Sequence, residues 1–91
     1  MAVVRVMSSM NRIRVVFFAT LRQRAGIPSV ELDLPQPTDV AALKRQLAHD
    51  YPDLTPSMAS VLTAVNHEYA FDETTIPDGA EVALFPPVSG G

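Results

Sequence analysis

Hydrophobic positions along this chain repeat with a period of two, then with the longer period of a helix, then with a period of two again. Residues 12–18, Arg-Ile-Arg-Val-Val-Phe-Phe, place Ile13, Val15 and Phe17 on one face and Val16 and Phe18 on the other. That run of β-branched and aromatic residues predicts a central strand with both faces substantially covered. Ala19–Gly26 follows with good helix formers and a glycine where a short helical turn would end in a left-handed cap. Residues 28–34 then alternate cleanly, Val30, Leu32 and Leu34 against Ser29, Glu31 and Asp33, which predicts a half-buried strand paired to the first as a hairpin.

Pro35-Gln-Pro37 breaks the strand, and Thr38 is placed as an N-cap with Asp39 near the positive end of the next helix. Val40, Leu43, Leu47 and Tyr51 recur at spacings of three and four, predicting one amphipathic helix over residues 38–51, stopped by Pro52. Its single apolar face requires a sheet to lie against. Residues 53–60 read as connection. Val61 to Val65 and Glu68 to Phe71 flank the turn-like pair Asn66-His67 and predict a second hairpin. Pro77-Asp-Gly79 signals a turn before a last strand, Ala80–Phe85, with Val82 and Leu84 on one face and Ala83 and Phe85 on the other. The order is β, β, α, β, β, β, an α+β domain with a mixed sheet of about five strands wrapped on one main helix. That pattern resembles the β-grasp, ubiquitin-like architecture.

The chain has 91 residues, enough for one small domain and too few for a deep substrate cleft. It contains no cysteine, which excludes a disulfide scaffold, a thiolate metal site and a cysteine nucleophile. Residues 1–45 carry a net charge of +4 and residues 46–91 of −7. A net acidic chain argues against nucleic-acid binding, and the acidic half reads as a solvated or partner-docking face. Residues 1–10 are too short and too interrupted by polar residues for a signal peptide or a membrane span, and read as a disordered N-terminal extension. The expectation is a cytoplasmic protein with no membrane or nucleic-acid partner.

Side chains able to catalyse are few. His49 falls outside the helix's apolar stripe. His67 beside Glu68 would be an acid–base or metal pair, but no third ligand lies near it in sequence. Ser89 has neither a histidine close by nor a nucleophile elbow. The end of the chain is different. After Phe85, Pro86 and Pro87 stop strand pairing and hold the backbone extended, and Val88 and Ser89 lead to Gly90 and Gly91. A stiff arm ending in two residues without side chains is able to thread a narrow channel. Its terminal carboxylate, once adenylated, is open to a sulfur or amine nucleophile. The domain then spans residues 11–86, with residues 87–91 as a flexible tail.

The segment Phe85-Pro-Pro-Val-Ser-Gly-Gly91 closely resembles the small subunits of molybdopterin synthase, the MoaD-type sulfur carriers of the ubiquitin-like superfamily. The resemblance extends over residues 11–91 through Ile13-Arg-Val-Val-Phe-Phe-Ala-Thr-Leu-Arg22, Ala64-Val-Asn66 and Pro77-Asp-Gly-Ala-Glu-Val-Ala-Leu-Phe85. It implies that Gly91 is adenylated by an ATP-consuming, E1-like (MoeB-type) enzyme and converted to a thiocarboxylate by a sulfur donor protein. It also implies that the tail enters a large, MoaE-type subunit within a heterotetramer and gives its sulfur to precursor Z, with the catalytic side chains on that subunit. No cofactor or metal is expected on this chain. Phe85, Pro86, Pro87, Val88, Ser89 and Gly90 are the expected docking segment, with Phe18 and Leu62 as further apolar contacts, although either position alone would also suit a core. The same fold and ending serve carriers for thiamine or tRNA thiolation, ubiquitin-like modifiers and plain interaction modules.

Overall fold

A computed structural model describes residues 10–87. The elements are β1 (Met10–Phe17), α1 (Thr20–Ala25), β2 (Ser29–Pro35), α2 (Val40–Asp50), β3 (Leu62–Val65), β4 (Glu68–Ala70) and β5 (Glu81–Phe85). A 3₁₀ turn over Pro52–Ser57 follows α2. One five-stranded sheet has the order β2-β1-β5-β3-β4. β1 runs antiparallel to β2 and parallel to β5, while β3 runs antiparallel to both β5 and β4. The last strand in sequence is therefore the middle strand in space. β1 begins at Met10, the last residue of the expected extension, and the remainder of that extension lies outside the described residues.

One face of the sheet packs on α2 and the 3₁₀ turn. Ile13, Val15 and Phe17 from β1, Val82 and Leu84 from β5, Leu43 and Leu47 from α2, and Leu54 are each at most 1% exposed. Burial of this kind contributes about 1.5–3 kcal/mol for each large apolar side chain. β2 contributes less, since Leu34 is buried whereas Val30 and Leu32 are only half-buried.

The two hairpins form where the turn residues direct. Asn66 and His67 both take positive φ, 49° and 72°, as a two-residue turn matched to strand twist requires. Asn66 also joins this turn to the centre of the sheet: its N–H donates to the Glu81 carbonyl at 2.8 Å, and its Oδ1 accepts from the Glu81 N–H at 3.0 Å. Gly26 ends α1 at φ 82°, its N–H donating to the Arg22 carbonyl.

Two details differ from the sequence reading. Asp39, not Thr38, caps α2, with Oδ1 accepting the Ala42 N–H at 2.9 Å. Thr38 is buried and gives its carbonyl to the Ile76 N–H at 2.9 Å, so its backbone belongs to the crossing loop and the helix starts one residue later. The second face of β1 is also less covered than expected: Val16 is half-buried and Phe18 is 42% exposed. No second layer covers that side among the described residues.

Candidate functional site

The uncovered face is built by register. β1 and β5 pair Val16 with Ala83, β5 and β3 pair Ala83 with Ala64 and Phe85 with Leu62, and β3 and β4 pair Ala64 with Tyr69. Because opposed residues share a face, these side chains form an apolar belt across four strands. Small residues at the middle of the belt leave a shallow cavity of about 480 Å³, lined by Val16, Phe18, Ala64, His67, Tyr69, Glu81, Ala83 and Phe85.

Phe18 and Phe85 mark the end of the belt from which the C-terminal segment leaves. Their rings stack with centroids 4.7 Å apart and planes 7° from parallel. The Phe18 N–H donates to the Leu84 carbonyl at 3.1 Å, so backbone pairing continues past β1 and fixes the stack. Directly after Phe18 the chain takes an unusual turn at Ala19, with φ 54° and ψ −128°, before α1 begins. A side chain in that region of backbone space carries strain of order 1–3 kcal/mol. The turn commits Phe18 to the open face while Leu21 returns to the core at 1% exposure.

The sequence-predicted docking residues are brought together in part. Phe18, Phe85 and half-buried Leu62 share the belt, Pro86 is half-buried and Pro87 exposed. Neither proline can donate to a neighbouring strand, so β5 ends at Phe85. Val88, Ser89, Gly90 and Gly91 lie outside the described residues. Sequence reasoning missed Tyr69, 78% exposed at the far end of the belt, and Phe71, 75% exposed just after β4. A signal existed for Tyr69: once Asn66-His67 is a two-residue turn, its place opposite Ala64 follows.

Charge sits at the rim. His67 Nε2 lies 3.8 Å from Glu81 Oε1 beside the cavity, so its partner is Glu81 rather than Glu68. On the β1–β2 side, Arg12 bridges Glu31 and Asp33, each at 3.2 Å. The hydrogen bond and charge of Asp33, aided by Glu31, raise the Arg12 guanidinium further above its already high range, so it stays charged at every working pH. His49 is an exposed helix residue 3.2 Å from Asp50 Oδ1. Among the described residues no group of three His, Asp or Glu side chains is placed to hold a metal ion. The arrangement has the form of a docking face, with apolar anchors at the centre and a charged rim.

Residues 15–91 match the ThiS family. The molybdopterin synthase sulfur carrier subunit of Escherichia coli is 38% identical over 81 residues, covering 87% of this chain and 99% of that protein. Among solved structures, a putative molybdopterin converting factor subunit 1 from Pyrococcus furiosus superposes with a TM-score of 0.78 at 29% identity, covering 86% of this chain and 99% of that one. The small archaeal modifier protein 1 of H. volcanii superposes with a TM-score of 0.76 at 25% identity, again covering 86% and 99%.

Proposed function

The chain belongs to the ThiS family and is a sulfur carrier of the molybdopterin synthase small-subunit kind, and from that premise we propose that its chemistry resides on the carboxylate of Gly91. The observation that carries the reading is the Phe18–Phe85 stack at the root of the C-terminal segment, on an otherwise uncovered sheet face. The face supplies binding energy close to the tail, and Pro86 and Pro87 limit the freedom lost when the tail is inserted.

The steps follow from the chemistry of a carboxylate. An E1-like enzyme uses ATP to adenylate Gly91, releasing pyrophosphate, and sulfur supplied at the sulfide level by a donor protein attacks the acyl carbon, the bond to the phosphate oxygen breaks and AMP leaves, giving a thiocarboxylate. The loaded tail enters the large synthase subunit, whose side chains catalyse transfer of sulfur to precursor Z. Gly90 and Gly91 present no side chain to the walls of that channel. The absence of cysteine from this chain accords with sulfur being carried on the terminus.

Incubation with ATP, an activating enzyme and a sulfur donor is expected to raise the intact mass by about 16 Da, as one oxygen is exchanged for sulfur. Removal of Gly91 should abolish both the mass change and synthase activity. Persistence of either would overturn the reading. The likeness to the archaeal modifier favours a second reading, attachment of the same terminus to lysines of other proteins, and stable amide conjugates in cells would be its sign.

A further inference from the structure

Lysine occurs once in this sequence, at position 44, and every other basic side chain apart from the histidines is arginine. A lysine amine captures activated carboxyl groups as stable amides, whereas a guanidinium remains protonated and does not. On a protein whose own terminus becomes an acyl-adenylate, that one side-chain amine is a hazard, and this inference rests on the carrier reading above.

The structure covers most of its side chain and gives it a partner. The Lys44 side chain is 15% exposed and lines an open groove whose other lining residues include Val61, Ala70 and Asp72. Its Nζ donates to Asp72 Oδ1 at 2.7 Å. Asp72 is itself held in place. Its carbonyl accepts the Ala41 N–H at 3.0 Å, and the Thr74 carbonyl accepts the Val40 N–H at 3.1 Å. Thr74 closes the turn by accepting the Phe71 N–H on Oγ1 at 3.0 Å and donating its own N–H to the Phe71 carbonyl at 3.0 Å. The loop bearing the carboxylate is thus fastened to the first turn of the helix that bears the amine. To act as a nucleophile, Lys44 must leave Asp72, whose own side chain is 63% exposed, and shed a proton.

We infer that the Lys44–Asp72 pair restrains the chain's single side-chain amine, the one side chain able to form a stable amide, and so keeps the protein a carrier rather than a link in polymers of itself. The suppressed reaction is attack of the neutral Lys44 amine on the Gly91 acyl carbon of a second adenylated copy. The carbon–nitrogen bond forms, the bond from that carbon to the phosphate oxygen breaks, AMP leaves and the surplus amine proton passes to solvent.

An acylating probe tests the restraint without any activating enzyme. Acetylation by an N-hydroxysuccinimide ester is followed by peptide mass, with Arg45→Lys supplying an exposed reference amine at the next position. Lys44 should react at least about fivefold more slowly than the reference amine, and Asp72→Asn should accelerate it by about threefold, in keeping with one ion pair. Equal rates at the two amines, or no acceleration in a folded Asp72→Asn protein, would overturn the inference. A second arm uses ATP and the activating enzyme without a sulfur donor. Amide-linked dimers branched at Lys44 should form from Asp72→Asn and not from the unaltered chain, and their formation from the unaltered chain would also overturn it. Failure to adenylate Gly91 at all would count against the carrier reading, while the acetylation rates decide Lys44 alone.

Discussion

Phe18→Ala removes one ring of the stack at the root of the tail, and its two effects should separate. The ring is 42% exposed, so stability falls by only about 1 kcal/mol, while affinity for the large subunit falls by tenfold or more, as expected for an aromatic anchor. Thermal denaturation beside calorimetric titration reads both; equal affinities would exclude the stack from the interface. His67→Gly tests the hairpin turn in isolation: a residue at φ 72° gains from losing its Cβ, and stability should rise by about 0.5–1 kcal/mol in a denaturant titration. The alternation Ile13, Val15, Phe17 and the pair Asn66-His67 were legible in sequence because each depends on its own short segment. Asn11 was not legible. It is 1% exposed and donates Nδ2 to the Ile76 carbonyl at 2.7 Å, a partner 65 positions away that no local pattern announces. Phe18 was legible only as one of two alternatives, since a hydrophobic residue at a strand end suits a core or an interface equally until the second layer is known.

The helix α2 shows how one element is specified by pattern and bounded by chemistry. Val40, Leu43 and Leu47 form its buried stripe as their spacing requires, but the cap lies one residue beyond the one expected, because Thr38 is taken up by the loop through Ile76. Asp39→Ala should therefore cost about 1 kcal/mol and lower the melting temperature by several degrees, whereas a cap at Thr38 would predict no such loss. Leu47→Ala, at 0% exposure, should cost about 2–5 kcal/mol, depending on how far the sheet can settle into the space left. β4 is the opposite case. Its three residues are too few to show a period, so its register came from the turn before it, and exposed Tyr69 and Phe71 were placed only once the strand pairing was known.

At the scale of the whole molecule, the chain's two halves differ in charge, but folding interleaves them: β5 of the acidic half lies between β1 of the basic half and β3. The rim of the docking face consequently carries both signs, with Arg12, Glu31 and Asp33 toward one side and His67 and Glu81 toward the other. Association with the large subunit should slow by a few fold between low and high salt, with dissociation less affected, and stopped-flow mixing at two ionic strengths would show this. The central position of β5 has a mechanical consequence. A pull on the tail loads a strand bonded along both edges, and because β5 runs parallel to β1, tension between Met10 and Pro87 drives those two strands past one another instead of peeling them apart. Hydrogen bonds lying across the line of force must fail together, so a partner withdrawing the tail meets a domain that resists as a unit, with its lifetime under load set by the unfolding rate.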